Sequence, residues 1–205
     1  RERVPAGAPE LLERLLRAAS GDALRFRDGP ADSIAGADVG GAVTAAKTEF
    51  ARVGLASGSF DAFSATHFLQ RFPPHFHDTF AIGVVESGFT RLRTPRGVWT
   101  GGRGTILAFA PGEIHSAEPL SRAGFTYHMV YPSAEFLTSV GIRVNAFSQP
   151  VIDDPATALV LLRAHAPLMD GRQGAEPESR MVQALRTLAR RHGGGDDRAV
   201  AQGPA

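Results

Sequence analysis

The sequence predicts a mainly β domain: an antiparallel jelly-roll barrel followed by two C-terminal α-helices, with a short helix ahead of the barrel. Three observations carry this prediction. From about Glu49 to Phe136, β-branched and aromatic residues recur in short runs interrupted by Gly, Pro and Ser, the pattern of strands joined by tight turns. Such spacing favours a closed antiparallel barrel over a parallel α/β sheet. Beyond about residue 156 the apolar spacing becomes helical. Finally, two histidine-bearing segments, Pro74-His75-Phe76-His77-Asp78 and Pro111-Gly112-Glu113-Ile114-His115, lie about 40 residues apart, so three imidazoles can converge inside one barrel.

Taken in order, residues 1–48 form an appendage. Leu11, Leu12, Leu15 and Leu16 make one apolar stripe opposite charges, which predicts an amphipathic helix over 9–17. The Gly-, Ala- and Asp-rich stretch at 21–41 has few large apolar residues and reads as a linker. The barrel is placed at 49–150, with strands expected at 50–56, 60–70, 80–86, 90–94, 105–110 and 125–131. Turn signals stand between most of them, among them Thr94-Pro95-Arg96-Gly97 and Gly101-Gly102-Arg103-Gly104.

A helical segment follows at 151–192. Leu159, Leu162, Ala166 and Met169 predict a helix over 156–169, which Pro167 is expected to break or end early. Met181, Val182, Leu185 and Leu188 predict a second over 178–192, with arginines near its end to suit the helix dipole and Gly193-Gly194-Gly195 to stop it. That stripe is either a dimer seam or a face packed on the barrel. Residues 193–205 have no apolar periodicity and are expected to be a flexible tail.

Composition narrows the function. The 205 residues hold 22 Lys plus Arg against 21 Asp plus Glu, a balance that does not describe a nucleic-acid-binding surface. There is no cysteine, which excludes disulfides and thiolate metal sites and leaves zinc to His and carboxylate ligands. No segment approaches the roughly 20 apolar residues of a membrane span, so the expectation is a soluble, cytoplasmic protein. Nucleophile, phosphate-loop and dinucleotide motifs are not found.

At the histidine segments the sequence resembles a known family. Residues 72–88, from Phe72-Pro73-Pro74-His75 to Glu86-Ser87-Gly88, resemble the first block of the N-terminal sensor domain of AraC-type transcriptional regulators. Gly104-Thr105-Ile106-Leu107-Ala108-Phe109-Ala110-Pro111-Gly112-Glu113-Ile114-His115 resembles the second block, and 125–131 the strand after it. The resemblance covers roughly 49–192. It implies a cupin (double-stranded β-helix) barrel that binds a small-molecule effector, helices that make a homodimer, and DNA binding by helix-turn-helix motifs. Too little chain follows His192 for those motifs, so DNA binding is expected of a domain outside this chain.

For His75, His77 and His115 three readings stand. They hold a divalent metal such as zinc, nickel, iron or copper; they hydrogen-bond an organic effector; or they are structural. The cupin metal pattern usually adds a glutamate three or four residues past the second His, where this chain has Ala81 and Ile82. Glu113 is the weaker fourth candidate. Tyr127 and Trp99 are further effector-lining candidates; Tyr127 and Met129 alternate with His128, so either set can face inward. Asp78 is placed to orient an imidazole or cap a turn, and Arg91 with Arg93 reads as a solvated face. The reading these residues favour is a non-catalytic sensor that requires no cofactor. The alternative is a metal-dependent cupin enzyme of the dioxygenase or isomerase class using His75, His77 and His115, or His75 and His77 with Glu113 or Asp78.

Overall fold

The computed structural model describes residues 46–55, 58–170 and 174–194. The predicted helix at 9–17, the linker at 21–41 and the tail from 195 onward lie outside them. Two antiparallel sheets face each other. The larger has six strands in the order β1 (Lys47–Leu55), β2 (Gly58–Phe68), β9 (Phe125–Tyr131), β4 (Ala81–Ser87), β7 (Thr105–Phe109) and β11 (Val151–Asp153). The smaller runs β3 (Phe72–His75), β8 (His115–Pro119), β5 (Thr90–Thr94) and β6 (Gly97–Gly101). This is the jelly-roll barrel of a cupin. A short helix, α1 (Ala134–Ser139), follows β9. Then come α2 (Pro155–Met169) and α3 (Ala175–His192), the two C-terminal helices. A small ribbon, β10 (Ala146–Phe147) with β12 (Gly193–Gly194), ties the end of α3 to the loop before β11.

The large sheet is covered on both faces, which explains the near-continuous apolar runs in its strands. In β4, Ala81 and Val85 join the core between the two sheets, whereas Ile82 and Val84 join a second core under the helices. β7 divides the same way, Leu107 and Phe109 against Ile106 and Ala108. The helices contribute Leu161, Ala164 and Leu168 from α2 and Met181, Leu185 and Leu188 from α3. At Gly83 a Cβ would collide with the backbone oxygen of His128 and with Met129 Sδ, so that crossing of β4 and β9 admits only glycine.

Several elements differ from the sequence reading for identifiable reasons. β3 reads Phe-Pro-Pro-His; its prolines are tolerated because it is an edge strand. β6, at the other edge, is bounded by glycines, and β8 carries no large apolar residue. α1 starts at Ser133, whose Oγ accepts from Phe136 N. α2 does not break at Pro167 but runs to Met169; the proline sits in the last turn, where its missing N–H forfeits a single bond. α3 begins one turn earlier than expected, at Ala175.

Asp154 is the knot of the helix pair. As N-cap of α2 its carboxylate accepts from Thr157 N at 3.1 Å and Thr157 Oγ1 at 2.8 Å. The same group accepts from Arg191 Nε and His192 Nε2, both at 2.8 Å, at the end of α3. His192, the Thr157 groups and Arg191 together hold the Asp154 carboxyl far below the usual carboxylate range, against the opposing effect of burial. A depressed folded-state pKa means stability present above the unfolded value of about 4 and lost as pH falls below it. Asp154→Ala is expected to lower the unfolding free energy by roughly 1–3 kcal/mol at pH 7. In urea melts repeated down the pH scale, the gap from wild type should narrow below about pH 4; a gap independent of pH would refute the charged clasp.

Candidate functional site

The inner ends of β3 and β8 bring the histidines together. His75, last residue of β3, lies opposite His115, first residue of β8. His77 follows in the loop toward β4, and its carbonyl accepts from Gly112 N at 2.8 Å, which ties that loop to the turn after β7. The ring centroids lie 4.4 Å apart for His75 and His115, 5.0 Å for His75 and His77, and 5.3 Å for His77 and His115. One ligating nitrogen from each ring falls within 4.8 Å of the others. His115 is stacked on Phe109 at 3.9 Å with the planes 6° apart.

Hydrogen bonds orient two of the three rings. His75 Nδ1–H donates to Pro73 O and His115 Nδ1–H to Glu113 O, both at 2.8 Å. A carbonyl oxygen can only accept, so each proton sits on Nδ1 and each Nε2 presents a lone pair. Burial lowers the pKa of all three histidines. His77 is pushed down to about 3 by burial and then by His75, and His115 well below the ordinary value by burial and then by its two neighbours. At neutral pH the cluster is therefore uncharged. Three neutral imidazoles, two of them held by carbonyl partners, are a chemically competent set for a divalent ion.

Above the triad a cavity opens between the sheets, with free space of about 580 Å³ counted out to its mouth. Aromatic side chains dominate its wall: Phe72, Phe109, Phe125, Tyr127 and Tyr131, with Leu92, Leu107 and Met129 between them. Burial raises the Tyr127 and Tyr131 hydroxyls above their ordinary range. The alternation in β9 is resolved: Phe125, Tyr127, Met129 and Tyr131 line the cavity, and His128 points to the helices. Tyr131 was legible from that period of two, had the alternation been carried two residues past Met129.

The other sequence candidates lie elsewhere. Trp99 is half-buried on β6 beside the inter-sheet core, with Nε1 donating to Thr94 Oγ1 at 3.4 Å, and is not on the cavity wall. The Glu113 carboxylate accepts from Arg96 Nη2 at 2.6 Å and from Ala110 N at 3.2 Å. Among the described residues the ligand cluster comprises the three histidines alone, without Glu113 or the exposed Asp78. Arg91 and Arg93 converge with Arg71 on Glu118 at 3.3–3.5 Å. Met181, Leu185 and Leu188 are buried in the chain's own core, with Val182 half-buried beside it. A dimer seam built on them would have to open that core.

On the opposite face of β9, His128 Nε2–H donates to Glu86 Oε2 at 2.7 Å and its Nδ1 accepts from Ser64 Oγ at 2.8 Å. His165, on α2, has its ring centroid 5.1 Å from that of His128 and donates from Nε2 to Met129 O at 3.2 Å. Burial, then the electrostatic influence of neighbouring His128, pushes the His165 pKa down to about 4.

Comparison with known proteins agrees with this arrangement. A family model described as the AraC-like ligand binding domain matches residues 57–189. A Bacillus subtilis protein described as an uncharacterized HTH-type transcriptional regulator, YbfI, is 23% identical over 138 residues, covering 64% of this chain and 50% of that protein. The chain thus spans about half the length of that curated relative. Among solved structures, a cupin 2 conserved barrel domain protein from Salinispora arenicola is 15% identical with a TM-score of 0.37, covering 44% of this chain and 80% of that one. A mutant of Bacillus subtilis oxalate decarboxylase OxdC is 18% identical with a TM-score of 0.32, covering 36% and 21%. Since the family match takes in both histidine segments, the barrel from β2 onward and nearly all of the helix pair, this chain belongs to the AraC-like ligand-binding domain family of transcriptional regulators.

Proposed function

We propose that the chain is the effector-sensing domain of an AraC-type transcriptional regulator, acting in the cytoplasm without catalysis and passing the signal to a DNA-binding domain outside this chain. The observation that carries this is the cavity itself: an apolar, aromatic-walled chamber with one polar end, formed by His75, His77 and His115, is built to orient a small molecule. Nothing in this reading requires a cofactor. The signal leaves through β9. Met129 lines the cavity, while its carbonyl accepts from His165 of α2, so a ligand that shifts β9 bears directly on the helix pair. Switching requires that the effector bind the two helix arrangements with different affinity.

The triad also supports a metal-assisted version of the same sensor. An ion held by the Nε2 atoms of His75 and His115 and by His77 would supply Lewis-acid contact to an effector oxygen. The carboxylate expected of an iron oxygenase set is not supplied by Glu113, which faces Arg96, and this favours binding over turnover. The family's homodimer is proposed to use the outward side of α2, where Leu159 and Val160 are exposed, because the α3 stripe is already covered.

Three measurements check this account. A thermal-shift screen of small molecules should yield stabilising compounds whose effect vanishes in Ala117→Phe, which fills the cavity wall; compounds that act equally on both proteins would place the site elsewhere. Zinc titrated into metal-free protein against a colorimetric chelator should bind at one site per chain, at least tenfold more weakly in His75→Ala, and the screen's hits should survive chelation. In sedimentation the chain should be a dimer that Leu159→Glu converts to monomer, and a monomeric wild type would remove the homodimer.

A further inference from the structure

The polar end of the cavity is unbalanced between donors and acceptors. His75 and His115 commit Nδ1–H to backbone carbonyls, which leaves both Nε2 atoms as lone pairs that can only accept. Thr90, also on the wall, donates its hydroxyl to Glu118 O at 3.1 Å and so offers only lone pairs. Turning His115 about χ2 to present its donor instead would give up its bond to Glu113 O. Against these fixed acceptors stand the hydroxyls of Tyr127 and Tyr131, which make no hydrogen bond to another described residue and can donate or accept. A buried acceptor left unmatched carries a penalty, so an occupant that binds well must bring a donor to this end.

The remainder of the wall excludes other ligand classes. Among the described residues no Lys, Arg, Asp or Glu lines the cavity, so against them a carboxylate or phosphate would be buried without a countercharge. A sugar would meet Phe72, Phe109 and Phe125 with hydroxyls that find no partner. A flat apolar ring suits those aromatic faces.

Resting on the reading of this cavity as the effector site, we infer that its ligand is a neutral phenol: an aromatic ring packed among the aromatic walls, its hydroxyl donating to Nε2 of His75 or His115 and accepting from Tyr127 or Tyr131. A catechol would satisfy both bare nitrogens at once.

Calorimetry on the chelator-treated chain tests this with para-cresol, its methyl ether, para-toluate and ribose. The phenol should bind at least tenfold more tightly than the ether, which keeps shape and apolarity but lacks the donor. Toluate and ribose should bind more weakly still. The phenol–ether gap should narrow in at least one of His75→Leu and His115→Leu and close in the double variant, while the wild-type comparison stands whether or not those variants fold. Equal binding of phenol and ether, a preference for toluate or ribose, or phenol binding that disappears on chelation overturns the assignment and leaves the cavity as an effector site. Silence from all four probes overturns the phenol class. The broader proposal fails separately, when no compound in the screen distinguishes wild type from Ala117→Phe.

Discussion

The two-residue alternation of β9 is the constraint on which the cavity and the helix pair both depend, because this strand lies inside a sheet covered on both faces. Phe125, Tyr127, Met129 and Tyr131 go to the cavity; His128 and Val130 go to the helices. A slip of one residue would exchange the two sets. It would bury His128 among the aromatic walls and turn four large side chains toward the helix core, each worth about 1.5–3 kcal/mol when properly buried. Since a whole domain is stable by only about 5–15 kcal/mol, one register survives. β4 and β7 obey the same division, with Gly83 permitting the close approach of β4 to β9.

Histidine is used in two chemically opposite ways on the two faces of this sheet. His128 is saturated, with Ser64 on one nitrogen and Glu86 on the other, so it has nothing left to offer a ligand. His75 and His115 are half-saturated by carbonyls on one side only, and their remaining lone pairs define the cavity's polar end. The difference lies in the partners and not in the ring. A carbonyl on Nδ1 makes Nε2 an acceptor for a donor or an ion, whereas a hydroxyl and a carboxylate on the two nitrogens close the ring to further chemistry.

The sequence made the barrel legible because strand alternation and turn residues are local signals. All six predicted strands coincide with observed ones, and both turns around β6 fall where glycine and proline place them. The edge strands β3 and β8 were not legible: a Pro-Pro pair and a run without large apolar residues carry no strand signature, and only sheet pairing makes them strands. The triad was visible from its spacing, but its geometry depends on exactly those two strands. For the helices, the pattern identified which residues of α3 form an apolar stripe and could not say what covers it. The chain's own core, shared with α2, covers Met181, Leu185 and Leu188, while on α2 the apolar Leu159 and Val160 remain exposed.

The proposed route from effector to helices has an energetic scale that can be judged. The bond from His165 to Met129 O is neutral, since burial keeps the imidazole unprotonated at physiological pH, and a neutral hydrogen bond contributes about 0.5–1.5 kcal/mol net. Allosteric couplings are typically about 1–3 kcal/mol, so forming or losing this one contact reaches only the lower end of that range. In the proposed route the balance comes from the packing of α2 on the sheet, through Leu161, Ala164 and Leu168. A ligand that displaces the Met129 side chain therefore acts on a hydrogen bond and an apolar interface together. The helix pair, clasped at Asp154, responds as one body because the same carboxylate holds the start of α2 and the end of α3.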